Sequence, residues 1–189
     1  MKRIFPWIVV VALAALVIAL AAKNRELRDI NDQLSSRVEF LSSGPGVGAK
    51  PPGIQVAALR GGQVSLGGQQ PTPTVLYFYS TRCHYCRASI PELKRLDASM
   101  ANGQAMMVGI GLPPYEEVQS YADTNGLHFP MVSDSDTRIA RAYVISSTPT
   151  LVVLNRSGEV AYKHVGELTA QTTTEVVNSL GLGAITQGE

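Results

Sequence analysis

The sequence predicts an α/β fold in which helices cover both faces of a central mixed β-sheet. Two observations carry this expectation. From residue 54 onward, strand-like and helix-like runs alternate, strand-helix-strand-helix, and then close on a hairpin and a final helix. Alternation of that kind builds parallel neighbours, while a hairpin adds antiparallel ones, so the sheet is mixed. Of the 189 residues, roughly 165 follow the N-terminal apolar segment, enough for one well-packed domain and not two.

The elements follow in order. Met1-Lys2-Arg3 precedes an uncharged apolar run, Ile4 to Ala22, of 19 residues. That is about the 20 residues a membrane-spanning helix needs. Pro6 is tolerated in a first turn, which has no N–H bonds to lose. A cleaved signal peptide is the competing reading, with Ala19-Leu20-Ala21 as its small-x-small site. The run exceeds the usual apolar core of a signal peptide, so residues 1–22 are expected to remain as an N-terminal transmembrane helix. Lys2 and Arg3 on one side face Lys23, Arg25 and Arg28 on the other, so charge does not set the orientation. Under either reading the rest of the chain leaves the cytosol. The anchored reading puts it on the periplasmic side of a bacterial inner membrane.

Residues 23–43 read as a polar stalk helix. Leu27, Leu34 and Leu41 recur every seven positions, with Ile30 and Val38 beside them and Arg37 interrupting the seam. So short a seam supports at most a weak homodimer of stalks. Residues 44–53, from Gly44-Pro45-Gly46 to Pro51-Pro52-Gly53, read as a flexible linker, and the domain is expected over 54–189. Ile54 to Leu59 and Gln63 to Leu66 form an N-terminal β-hairpin around Gly61-Gly62. Thr74 to Ser80 is a buried strand. The helix from Arg87 to Met100 buries Ile90, Leu93, Leu96 and Met100 and kinks at Pro91. A strand over Gln104 to Ile110, a helix from Tyr115 to Asn125 ending at Gly126 and a short helix over Asp136 to Tyr143 come next. Thr150 to Leu154 and Glu159 to Val165 pair through Asn155-Arg156-Ser157-Gly158, and Thr169 to Leu180 closes the domain. The formal charge of +1 and the lack of a basic stripe exclude nucleic acid as a partner.

The only two cysteines lie in Cys83-His84-Tyr85-Cys86, between a buried strand and a helix. A helix N-terminus presents unpaired N–H groups and the positive end of its dipole, which favour a thiolate. A disulfide over so short a step closes almost no loop, so a purely structural bridge is disfavoured and redox chemistry is indicated.

Several residues then converge on one pattern. The strand into Cys83-His84-Tyr85-Cys86 with Pro91 downstream is the first, and Ser147-Thr148-Pro149-Thr150 before an apolar strand is the second. Asn155 to Glu159 followed by His164-Val165-Gly166-Glu167 is the third, and the helix-bearing stretch between Leu112 and Tyr143 is the fourth. Together these make residues 54–180 resemble a thioredoxin-fold domain. More narrowly, they resemble the membrane-anchored TlpA/ResA-type thiol-disulfide oxidoreductases of the bacterial cell envelope, with a TlpA-like helical insertion. The resemblance implies a redox-active Cys83–Cys86 pair, a cis-proline at Pro149 facing it, protein substrates with cysteines or disulfides, and no cofactor. It also implies a reductase, serving a client such as apocytochrome c. With no third cysteine, a separate redox partner must recharge the pair.

The chain departs from the family at three places. Arg82 stands where most members have Trp, His84-Tyr85 carries no Pro, and the buried acid of thioredoxin falls at Tyr77. Cys83, at the exposed end of the helix, is expected to attack, and Cys86, one turn in, to resolve the mixed disulfide. Arg82 and protonated His84 would favour the anionic sulfur and so a more oxidising pair, which makes a disulfide-forming oxidase the alternative. Arg82, His84 and Tyr77 are therefore the expected tuning positions. A cis turn at Pro149 would expose the Thr148 backbone as a short edge on which a substrate peptide adds as a strand. A copper-binding chaperone using the same two sulfurs is a second class of reading. His128 and His164 are isolated in sequence, however, and no metal site is expected. The Pro-x-x-x-Thr-x-x-Cys frame of a peroxidase is absent, because Leu76 and Ser80 occupy its positions.

Overall fold

The computed structural model describes residues 13, 15–30, 43–113 and 117–182. They belong to two units, Met1–Leu41 and Ser42–Glu189. In the first, residues 15–30 form a solvent-exposed helix, α1. Its polar turns are tied by Lys23 to Glu26 at 2.8 Å and by Arg28 Nε to Asn24 Oδ1 at 3.1 Å. Among the described residues no helix is long and apolar enough to cross a membrane. Most of the expected anchor, and Leu34, Val38 and Leu41 of the expected stalk seam, lie outside the described residues.

The second unit opens with β1 (Ile54–Ala57) and β2 (Gln63–Leu66), an antiparallel hairpin that forms its own two-stranded sheet. β3 (Thr74–Ser80), α2 (His84–Ala88), α3 (Ile90–Ser99), β4 (Met106–Leu112) and α4 (Val118–Asn125) follow. Next come β5 (Met131–Ser133), α5 (Arg138–Ala142), β6 (Thr150–Leu154), β7 (Val160–Val165) and α6 (Ala170–Ser179). The main sheet runs β5-β4-β3-β6-β7. β3, β4 and β5 are parallel, whereas β6 is antiparallel to both β3 and β7.

Successive side chains of a strand face opposite ways, and a central strand here must satisfy two cores. Val75, Tyr77 and Tyr79 of β3 join Cys86, Leu93 and Leu96 of α2 and α3, Val118 and Ala122 of α4, and Val176 and Val177 of α6. Leu76 and Phe78 turn to the other face, with Ile139 of α5, Tyr143 and the hairpin residues Val56, Val64 and Leu66. Gly111 in β4 leaves room on the first face. A Cβ there would meet a Val118 methyl at 2.5 Å and Tyr79 Oη at 3.3 Å.

Several expectations are corrected. Residues 44–53 do not run free of the domain. Gly48 N donates to Val160 O and Val160 N to Ala49 O, both at 2.8 Å. The start of the edge strand β7 offers backbone groups, and the segment takes them up. The helix after the cysteines begins at His84 and divides at Ser89 rather than bending, with Pro91 in the first turn of α3, where its missing N–H costs nothing. β5 was not anticipated. It is three residues long and reads as loop until its pairing with β4 is seen. The stretch between Leu112 and Tyr143 therefore adds a sheet-edge strand as well as helices. Asp134 is 1% exposed and accepts from Ile139 N and Ala140 N at 3.0 and 2.7 Å, capping α5.

Candidate active site

β3 ends at Ser80, and a tight turn, Cys83 N to Ser80 O at 3.1 Å, delivers the chain to α2. Cys83 is the N-cap, extended at φ −74° and ψ 121°. Its sulfur takes the place of a capping oxygen and accepts from Cys86 N at 3.2 Å. Across the gap, Cys83 Sγ donates to Thr148 O at 3.5 Å. The Thr148–Pro149 peptide bond is cis. One sulfur is thus partly open, with a backbone amide on one side and a backbone carbonyl on the other.

Cys86 differs in every respect. It is fully buried, and burial before all else pushes its thiol up from 9.0 to about 12. The helix that carries it is pinned from below by Ser89, whose hydroxyl donates to Tyr85 O at 2.7 Å and accepts from Leu168 N at 2.9 Å.

Three aromatic rings wall this side of the pair. Tyr77 stacks on Tyr79 with centroids 5.8 Å apart, and Tyr79 on Tyr121 at 5.2 Å. The Oη atoms of Tyr79 and Tyr121 are buried with no hydrogen-bond partner among the described residues. Burial first, and then the charge Cys86 would carry, raises the Tyr77 phenol well above its ordinary range. Tyr121 is pushed up to about 12 by burial and then by Cys86 and Cys83. Neutral phenols therefore surround the pair in place of a carboxylate. They offer O–H donors and no ready base.

Residues 47–163 match the model of one known family, the AhpC/TSA family. The chain belongs to the AhpC/TSA family. Among its relatives is the thiol-disulfide oxidoreductase ResA of Halalkalibacterium halodurans, 28% identical over 118 residues, which are 62% of this chain and 67% of that protein. Another is the sporulation thiol-disulfide oxidoreductase A of Bacillus subtilis, 27% identical over 106 residues, 54% of this chain and 64% of that protein. The matches thus span about two-thirds of the length of these relatives. The crystal structure of StoA from Bacillus subtilis is similar with a TM-score of 0.59 at 24% identity, covering 67% of this chain and 97% of that one, a likeness of fold. Family, relatives and fold together support an oxidoreductase role.

Within this AhpC/TSA-family domain, the residues singled out from sequence fall into two groups. Cys83, Cys86 and Thr148 come together, with Tyr77 in the same cluster as Cys86 and Pro149 following Thr148. Arg82 and His84 are solvent-exposed, and the His84 ring makes an edge contact with Tyr85 at 5.6 Å. His164 lies elsewhere, its Nε2 3.0 Å from Glu167 O. Among the described residues no three His, Cys, Asp or Glu cluster as metal ligands. Sequence reasoning missed Tyr79, Tyr121 and Ser89. Alternation along β3 places Tyr79 on the face of Tyr77, so it was open to detection. Tyr121 and Ser89 carry no local signal.

Proposed function

We propose that this chain is a cell-envelope thiol-disulfide oxidoreductase that exchanges disulfides with protein cysteines through Cys83 and Cys86, working as a reductase. The observation that carries the reading is the asymmetry of the pair: a half-open Cys83 sulfur between the Cys86 amide and the Thr148 carbonyl, and a buried Cys86 thiol behind it. Cys83 as thiolate attacks a substrate disulfide. The substrate S–S bond breaks, a Cys83–substrate disulfide forms, and the departing substrate sulfur takes up a proton. Cys86 then loses its proton and attacks Cys83, freeing the second substrate thiol. The pair gives up two electrons, and the substrate gains them. A peptide lying along the Thr148 edge would be held for that transfer.

The apolar run before residue 23 supports tethering to the bacterial inner membrane with the domain on the periplasmic side. Clients would be oxidised protein cysteines such as those of apocytochrome c, with a separate redox partner restoring the dithiol. The exposed Arg82 guanidinium and the exposed His84 imidazole, which flank Cys83 in the chain, favour a second reading, disulfide formation. The reduction potential of the pair separates the two. A value near about −270 mV is expected for the reductase, and one near about −120 mV would assign an oxidase.

A further inference from the structure

Ser43 stands 40 positions before Cys83, at the end of the stretch expected to be stalk, yet it is 0% exposed. Its hydroxyl oxygen accepts from two successive amides, Ser146 N at 3.0 Å and Ser147 N at 3.1 Å. It also lies 3.2 Å from Thr150 Oγ1. The single hydroxyl proton of Thr150 is already given to Ser147 O at 2.8 Å. The Ser43 proton must therefore go to Thr150 Oγ1, and the sense of every bond in this network is determined.

The neighbouring contacts press the same two segments together. Gly44, at φ +87°, donates its amide to Val144 O at 2.8 Å. A Cβ on Gly44 would stand 3.2 Å from the Lys163 side chain and 3.4 Å from that of Thr150. Val144 is itself left-handed at φ 51°, which a β-branched residue rarely adopts. It closes α5 as a Schellman turn, with Val144 N to Arg141 O at 3.1 Å and Ile145 N to Ala140 O at 2.8 Å. The loop 144–149 is thus held by α5 at one end and by residues 43–44 along its length. One residue past the Ser43-bound amides is Thr148, whose carbonyl faces the Cys83 sulfur at 3.5 Å.

We propose that Ser43 is a positioning residue for the exchange site. From the N-terminal border of the domain it sets the Ser146–Thr148 backbone on which an incoming disulfide-bearing peptide lies. The proposal rests on the thiol-disulfide exchange reading of the Cys83–Cys86 pair. Ser43 touches neither sulfur, so its loss acts on docking and leaves the electron chemistry alone.

The test uses the full chain in detergent, with insulin as the disulfide probe and dithiothreitol as the source of electrons. Ser43→Ala is expected to raise KM for insulin about 3- to 10-fold with kcat within about twofold. The reduction potential of the pair against glutathione should stay at the wild-type value. Thr150→Val, which removes the acceptor of the Ser43 proton and the donor to Ser147 O, should raise KM in the same direction. Amide hydrogen exchange supplies the structural control. Ser146 and Ser147 should exchange faster in Ser43→Ala while the amides of β3 keep their protection. An unchanged KM in a folded Ser43→Ala chain, loss of protection throughout the domain, or a shifted potential would each overturn the proposal. Wild-type protein that leaves insulin intact would instead remove the exchange reading itself.

Discussion

Two segments meet at the Cys83 sulfur, and they are held in opposite ways. On one side is the turn into α2, braced by residues close in sequence: Cys86 N to the sulfur at 3.2 Å and Ser89 Oγ to Tyr85 O at 2.7 Å. On the other is the loop 144–149, braced by Ser43, more than a hundred positions away. On the proposed reading, the nucleophile is a local device and the docking edge a tertiary one. Changes on the first side should alter the chemistry of the sulfurs. Changes on the second should alter how substrate is held.

The largest effects belong to the local side. Cys83→Ser removes the partly open sulfur of the pair and should lower insulin reduction at least about a thousandfold. Cys86→Ser keeps the first attack and loses the second, so a covalent adduct with insulin should accumulate on non-reducing gels. An adduct formed by Cys83→Ser and not by Cys86→Ser would reverse the roles assigned here.

A second, sizeable effect follows from the burial of Cys86. Its thiol is raised from 9.0 to about 12, so the folded state favours the protonated form. Below pH 9.0 both folded and unfolded chains are protonated and this group leaves stability at its full value. As pH rises from there toward about 12 the unfolded chain ionises first, and stability is lost. The oxidised protein has no thiol to ionise. The melting temperature of the reduced form should therefore fall relative to the oxidised form across that window, by a few degrees or more. The buried phenols of Tyr77 and Tyr79, raised mainly by burial, weaken both forms. A gap between the two forms that stays constant with pH would mean that Cys86 is not shielded from solvent.

What was legible in the sequence divides along the same line. β3 and the Cys83–Cys86 pair are visible because a buried strand and a three-residue spacing are both local patterns. Tyr77 was visible for the same reason. Ser43 was not. It falls at the end of the expected stalk, and the stretch that follows is rich in Gly and Pro, which preclude a helix but leave the backbone free to bond an edge strand and a loop. Hydroxyl contacts between residues far apart, such as Ser89 with Leu168, impose no periodicity that a reader of the chain can find. Family resemblance supplied the Thr148–Pro149 edge, and composition alone would have left it an ordinary turn.

Smaller effects sharpen the division between chemistry and support. Tyr79 is fully buried, its hydroxyl has no partner among the described residues, and its ring stacks on both Tyr77 and Tyr121. Phenylalanine keeps both stacks and removes the cost of a dry hydroxyl. Tyr79→Phe should raise stability by about 1 kcal/mol, readable as about 2–4 °C in Tm. A loss of stability would show that this hydroxyl is hydrogen-bonded in solution.

The smallest effect tests His84, the residue that follows the Cys83 cap. His84 sits in the first turn of α2, but it is exposed, where water and salt screen electrostatic effects. Replacing it with alanine removes an imidazole whose protonated form favours the reduced, thiolate-bearing state. The Cys83–Cys86 potential should then become more negative by on the order of 10 mV. KM for insulin should stay where it is, the reverse of the pattern expected for Ser43→Ala. A potential unmoved in His84→Ala would leave Arg82 and the Cys86 amide as the groups on this side that favour charge on the sulfur. A shift in KM instead would place His84 with the docking edge and erase the distinction between the two segments.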